Sequence, residues 1–327
     1  MVGFYAAQVT SHTDKVAARP EEAVPRGGAR VAVGVAVAGL VANVVIVLTG
    51  VLVRLTGSGL GCPTWPRCTD DSFVATPEMG VHGVVEFSNR VLGIAVGLIT
   101  VAVLIVVLRH RGRSRAAVPL AAGALVGVFA QGLIGGLSVR RELAPEIVAT
   151  HFLVSMVIVA AITVLVDVLR RPDARRRRPD HRAVRWAATA LPVALAAVLL
   201  LGTLVTGSGP HAGDDHARRF AFDPALVSQA HAAAVWVFLG LQLAALAALR
   251  STGATAGQRR AAMTLVGASV AQGMIGYAQY ALALPVPLVA IHVLGAALVT
   301  LATTHLVVTV WRSAATTEAL SAAAGRS

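Results

Sequence analysis

The sequence predicts an all-α integral membrane protein of eight transmembrane helices, built as two tandem four-helix bundles related by a pseudo-twofold axis along the membrane normal. Three observations predict it. Eight apolar runs are long enough to cross a bilayer, arginines crowd alternate connections, and an internal repeat divides the runs four and four. The 327 residues are 56% hydrophobic and 13% charged, with a mean hydropathy of +0.73, which excludes a soluble globular protein of this length.

A helix needs about 20 apolar residues to cross the hydrocarbon core. Such runs lie at about 31–53, 84–108, 117–137, 148–169, 186–206, 228–249, 261–281 and 288–311. What remains is short loops and tails, so no sizeable soluble domain is expected. The first run is too long for a signal-peptide core and is expected to be a retained span. The tail before it, residues 1–30, contains Pro20, Pro25 and Gly27-Gly28 and is expected to be mobile.

The net charge of +12 suggests nucleic acid only until its placement is considered. Arginines concentrate at 109–115, 170–185 and 250–260, and more lie in the tails. With an even number of spans between them, these segments share one side, which carries 21 of the 28 basic residues. Positive-inside bias makes that side cytoplasmic, with both termini. Topology and acidic lipid headgroups account for the charge, and no nucleic-acid partner is expected.

The repeat unit is four helices. Thr56-Gly57-Ser58-Gly59 after span 1 recurs as Thr206-Gly207-Ser208-Gly209 after span 5, 150 residues on. Ala130-Gln131-Gly132-Leu133-Ile134-Gly135 in span 3 recurs as Ala271-Gln272-Gly273-Met274-Ile275-Gly276 in span 7, 141 residues on. Four spans per copy give both copies the same orientation. The expected organisation is a tail at 1–30, an N-terminal bundle at 31–169, a basic linker at 170–185, a C-terminal bundle at 186–311 and a tail at 312–327. Gly132, Gly135, Gly273 and Gly276 have small-x-x-small spacing and are expected to serve close helix packing.

Four histidines begin the even-numbered spans: His82, His151, His231 and His292. His151 and His292 keep the offset of 141, and His82 and His231 are 149 apart, so the motif offsets pair them. All four are expected at one depth on the non-cytoplasmic side. Imidazoles on facing helices of a bundle can clamp a porphyrin iron, and two pairs suggest two heme sites. Two histidines without thiolates or a carboxylate cluster are thin coordination for zinc or copper. The plainer alternative is packing with single hydrogen bonds. His305 lies thirteen residues past His292, too deep to share its iron, and is expected to pack or hydrogen-bond. His12, His110 and His181 are expected to be solvated.

Span 2 also carries Glu86, Asn89 and Arg90 on the broad face of His82. An ionisable residue within a span points to function by default. Glu86 is a candidate for proton transfer or for stabilising positive charge on a substrate, and Arg90 for neutralising it or binding a heme propionate. The alternative is a self-satisfied Glu86–Arg90 pair at i,i+4. At the motif offset Glu86 corresponds to Val235, so the halves are chemically unequal.

Cys62 and Cys68, the only cysteines, lie in the first outer loop, where a disulfide is chemically permitted. The pair is either a staple that shapes the loop or an exposed couple that cycles with thiols. In the third outer loop, Pro210-His211-Ala212-Gly213-Asp214 follows the second Thr-Gly-Ser-Gly. Glycine-rich turns of this kind admit close backbone approach to a flat ligand, or are simply tight turns. His211 is a candidate to support the heme ligands, and His216 is expected to be solvated.

The stretch Thr-Gly-Ser-Gly-Leu-Gly-Cys-Pro-Thr-Trp-Pro-Arg-Cys at 56–68 resembles the first-loop signature of heme A synthases. Thr-Gly-Ser-Gly-Pro-His-Ala-Gly-Asp at 206–214 resembles the third-loop signature, and the likeness covers all eight spans. The resemblance implies heme b in the C-terminal half with His231 and His292 as axial ligands. It implies heme O as the substrate in the N-terminal half, its C8 methyl oxidised to a formyl group to give heme A for cytochrome oxidase. Glu86 is the implied catalytic carboxylate, His151 a substrate-heme ligand, and Cys62–Cys68 the loop cysteine pair. A heme O synthase, the oxidase assembly machinery and a second copy of the chain are candidate partners in the cell membrane.

One position departs from the pattern. Heme A synthases read Glu-x-x-His-Arg on helix 2, whereas this chain reads Glu86-Phe87-Ser88-Asn89-Arg90. Asparagine is not a normal heme ligand. His82 is expected to take over ligation; the alternative is that His151 alone binds the substrate iron and leaves its other face open. Two rival functions fit the same histidines: a diheme b-type electron-transfer protein linked to quinol, and a heme carrier.

Overall fold

The computed structural model describes residues 26–110, 115–172, 179 and 181–311. They form eight helices: α1 Arg26–Leu55, α2 Gly80–Arg109, α3 Ala117–Arg140, α4 Pro145–Arg170, α5 Arg182–Ser208, α6 Pro224–Ser251, α7 Ala256–Ala281 and α8 Val286–Trp311. All eight are long and apolar enough to cross a membrane, and the described residues contain no strand. Most extend beyond the apolar runs, because polar residues continue the backbone ladder at their ends. α1 begins within the tail expected at 1–30. Residues 1–25 and 312–327, with His12, lie outside the described residues, as do 173–178 and 180 of the linker expected at 170–185.

Local chemistry explains several helix starts. Pro145 and Pro224 open α4 and α6, where the missing N–H would have had no helical partner. The Asp223 side chain caps α6 by accepting the N–H groups of Ala225 and Leu226. Thr255 and Gln258 form a reciprocal capping box on α7.

The helices pack in two rings. α1 and α3 each contact α2 and α4; α5 and α7 each contact α6 and α8. Val103, Ala121, Ile162 and Leu165 fill the first ring, and Leu191, Phe238, Leu249 and Leu265 the second. α1, α4, α5 and α8 form the seam between them, where Val47, Met156 and Ala297 are buried together. The outward faces remain apolar, with Val126, Leu133, Val193 and Met274 exposed as lipid-facing side chains are.

The α3–α4 and α7–α8 turns share one backbone form. Glu142-Leu143 and Ala283-Leu284 adopt left-handed conformations, with φ of 50°, 56°, 57° and 61°. Such conformations are strained in residues with a Cβ. Each turn is locked by an N–H reaching back five residues, Leu143 to Ser138 O at 2.8 Å and Leu284 to Gln279 O at 2.7 Å. These features recur 141 residues apart, the offset of the Ala-Gln-Gly motif.

The first half of the repeat behaves differently. α2 and α6 start 144 residues apart and end 142 apart, not 149 or 150. The α1–α2 connection is longer than the α5–α6 one, so the motif offset does not carry across it. His231 stands 20 residues before the end of α6, and the residue 20 before the end of α2 is Asn89, not His82.

Candidate functional site

Three of the four histidines occupy like settings. His151 and His292 are each the seventh residue of their helix, in α4 and α8. Each ring lies over a glycine of the preceding helix. A Cβ on Gly135 would sit 3.3 Å from His151 Cε1, and one on Gly276 would sit 3.2 Å from His292 Cε1. The repeated glutamines fix the backbone beneath these rings: Gln131 Nε2 donates to His151 O at 2.9 Å, and Gln272 Nε2 to His292 O at 2.5 Å. His231 repeats the arrangement against α5, with Gly202 below its ring and Nδ1 bonded to Val198 O at 3.0 Å. Gly135 and Gly276 therefore seat imidazoles rather than pack helix against helix, while Gly132 and Gly273 meet open space.

The α6 and α8 donors fit a bis-imidazole heme. His231 Nδ1 is engaged by a carbonyl, which leaves Nε2 for a metal, the usual division of labour in a ligating histidine. His292 Nδ1 is enclosed and has no hydrogen-bond partner. Among the described residues no group of three or more His, Cys, Asp and Glu is arranged as a protein-only metal cage.

α2 presents a different surface. Asn89 turns to α1, where its Oδ1 accepts the Thr49 hydroxyl at 2.8 Å. His82 lies in the first turn of α2, exposed, with Nδ1 2.9 Å from Ser58 Oγ in the first Thr-Gly-Ser-Gly. Counted from the helix starts, His151, His231 and His292 are the seventh, eighth and seventh residues, whereas His82 is the third.

Glu86 is buried beneath the first loop. Its Oε2 accepts the Cys62 N–H at 2.7 Å, and its Oε1 accepts Arg90 Nε at 3.1 Å and Nη2 at 2.5 Å. Arg90 also donates to the carbonyls of Cys62, Thr64 and Arg67 at 3.0–3.1 Å. The i,i+4 pair thus exists and does more than satisfy itself, because it clasps the loop onto α2. At its far side the loop rests on α3: the Trp65 ring lies against Gly136, and Arg140 donates to Trp65 O at 3.2 Å. Gly61 approaches the His82 carbonyl so closely that a side chain there would collide with it. Cys62 and Cys68 form a disulfide, and both are fully buried, so the loop pair is not exposed.

The two loop signatures meet each other. Gly59 N–H donates to Gly213 O at 2.9 Å, with Leu143 filling the space beside both. Gly213 adopts φ of +103°, a conformation that favours glycine. Arg54, which sequence reading passed over, joins the halves here, donating to His211 O at 2.6 Å and to Thr206 O at 2.9 Å. Burial, followed by the Arg54 charge, lowers the pKa of His211 below its usual value. His216 is exposed, as expected; His305 on α8, expected to pack or hydrogen-bond, is exposed as well. A cavity of about 300 Å³ opens nearby among Arg140, Arg141, Glu142, Glu146 and Arg218, and none of the candidate histidines lines it.

Comparison with known proteins matches residues 34–304 to the model of a family described as cytochrome oxidase assembly protein. The heme A synthase of Alkalihalophilus pseudofirmus is 32% identical over 132 residues, which cover 40% of this chain and 43% of that relative. The heme A synthase of Bacillus licheniformis is 27% identical over 145 residues, 44% of this chain and 47% of the relative. That of Lysinibacillus sphaericus is 31% identical over 180 residues, 52% of this chain and 56% of the relative. The chain spans about half the length of these curated relatives in the matched stretches. With the family model matched from α1 into α8, the chain belongs to the family of cytochrome oxidase assembly proteins that includes the heme A synthases.

Proposed function

We propose that this chain is a heme A synthase, oxidising the C8 methyl of heme O to a formyl group and supplying heme A for cytochrome oxidase. The observation that carries the proposal is the inequality of the two halves. α6 and α8 offer two seated imidazoles, whereas α2 offers a buried carboxylate, Glu86, in the ring that holds His151. In the helix register Glu86 corresponds to Ser228, so the C-terminal half has no counterpart carboxylate.

His231 and His292 would hold heme b, which when bound supplies one-electron redox chemistry. Heme O enters the N-terminal half with His151 on its iron. Two successive oxidations, each removing two electrons and two protons from the methyl carbon to an external electron acceptor and adding one water oxygen, give an alcohol and then a hydrate, and loss of water leaves the aldehyde. Glu86 stabilises the positive charge that develops at the methyl carbon. Its oxygens are already fixed by Cys62 N–H and Arg90, so it acts without reorganising. Arg90 acts by holding the loop, since its donors are engaged by Glu86 and three carbonyls. Residues 31–169 form the substrate half and 186–311 the cofactor half, related by a pseudo-twofold axis and joined by the basic linker at 170–185. Positive-inside bias puts both termini in the cytoplasm and the heme sites toward the outer face.

Coexpression of the chain with a heme O synthase tests the proposal. The parent protein should accumulate heme A. Glu86→Ala should accumulate heme O and still carry the low-spin heme of His231 and His292. Heme A at the parental rate in Glu86→Ala would remove Glu86 from the mechanism.

A further inference from the structure

On the reading that both halves take an iron porphyrin, the rings present different donors to it. In the C-terminal ring, His231 on α6 and His292 on α8 are both at hand. In the N-terminal ring, His151 on α4 has the setting of His292, but the α2 position in register with His231 is Asn89. The contacts on the preceding helices agree with the register. Asn89 meets Thr49 of α1, seven residues before Thr56. His231 meets Val198 and Gly202 of α5, eight and four residues before Thr206, the repeat equivalent of Thr56.

His82 does not fill this gap. It is seven residues earlier on α2, about 10 Å along the axis at 1.5 Å per residue. A second axial ligand must lie at the level of the first, within about one helical turn of 5.4 Å. His82 is also exposed, and its ring is tied by Ser58 to the outer loop, whose Gly61 packs on the His82 carbonyl. That contact holds the first turn of α2 against the loop.

We propose that the N-terminal ring binds its iron porphyrin through one protein imidazole, His151, and that the opposite axial face, beneath Asn89, is open to a small diatomic ligand such as carbon monoxide or dioxygen. Asn89 is suited to this role because its carbonyl oxygen is occupied by the Thr49 hydroxyl, which leaves the amide as the group able to donate to a polar diatomic. The halves then divide into a coordinatively saturated heme that transfers electrons and an unsaturated one that admits a ligand.

The test uses the full chain, purified after coexpression with a heme O synthase, reduced with dithionite and titrated with carbon monoxide. The heme of the N-terminal half should form a carbon monoxide complex, and the heme at His231 and His292 should stay low-spin and unreactive. Asn89→His should lower the carbon-monoxide-reactive fraction at least tenfold at unchanged heme content. His82→Ala should leave that fraction unchanged, and His151→Ala should abolish it while the low-spin spectrum persists. A parent protein with no carbon-monoxide-reactive heme, or a His82→Ala protein whose reactive fraction rises, overturns the proposal. The chemical identity of the extracted heme is a separate readout. Unmodified heme with the expected carbon monoxide pattern defeats only the synthase function, and heme A with no carbon monoxide binding defeats only the open face.

Discussion

The Glu86 carboxylate accepts the Cys62 backbone N–H at 2.7 Å, so the catalytic candidate of α2 and the first cysteine of the disulfide loop are directly joined. Charge and loop anchoring therefore reside in one side chain, and two substitutions separate them. Glu86→Gln keeps an acceptor for Cys62 and loses the charge. Heme A yield should fall at least a hundredfold; the amide NH2 set against Arg90 cannot accept its donors, so the thermal midpoint should fall, but less than in the alanine variant. Glu86→Ala also leaves a buried N–H and Arg90 without their partner, which costs about 1–3 kcal/mol, so its midpoint should drop by several degrees. Equal midpoints for the two variants would mean that the loop does not depend on this contact.

The glycine seats predict which heme is lost. Gly276→Val places branched carbons where a Cβ alone would already be 3.2 Å from His292 Cε1. The low-spin heme should disappear from the spectrum while the N-terminal pigment remains. Gly135→Val should do the reverse, eliminating heme A and sparing the low-spin signal. Heme content per protein, measured as the pyridine hemochrome, checks both, and a Gly276→Val protein with its low-spin heme intact would contradict the seat.

Full burial of the disulfide makes a prediction about access. Millimolar dithiothreitol without denaturant should leave Cys62 and Cys68 resistant to alkylation, as read by mass. Cys62→Ser with Cys68→Ser should cost about 2 kcal/mol through the short closed loop, lowering the thermal midpoint. Heme content should be kept, because Arg90 and Trp65 still anchor the loop.

Sequence alone reveals the parts of this molecule whose signals are local. The eight apolar runs, the Ala-Gln-Gly pair and the recurrence of His151 as His292 all reappear in the fold, because the offset of 141 is constant from α3 to α4 and from α7 to α8. The pairing of His82 with His231 does not hold in the helix register for a physical reason: the offset crosses a connection that differs in length between the halves, and only the helix ends expose the difference. Gly135 and Gly276 have the spacing of helix-packing residues, and their imidazole neighbours lie on another helix. The links from Glu86 to Cys62, Trp65 to Gly136 and Arg54 to His211 are contacts between segments distant in sequence, which periodicity and composition do not encode.

Arg54 predicts a linked pair of effects. Arg54→Met leaves the part-buried His211 O without its donor and removes one of the two donors to Thr206 O, and should lower the thermal midpoint, since an acceptor left unpaired costs about 1–3 kcal/mol. It should also raise the pKa of His211 toward the ordinary value of about 6.5. In the parent, His211 is held below that value, so the unfolded chain binds the proton more readily. Its contribution to stability is complete above about pH 6.5 and is lost as the pH falls below it. Titration of the His211 ring by NMR in both proteins reads the shift.

The most direct measurement is chromatography of the heme extracted from membranes in which this chain is coexpressed with a heme O synthase. Heme A in the extract, and none from membranes carrying the synthase alone, is the predicted result. Heme O or heme B as the only pigment would contradict it, and would return the histidines to electron transfer or heme carriage.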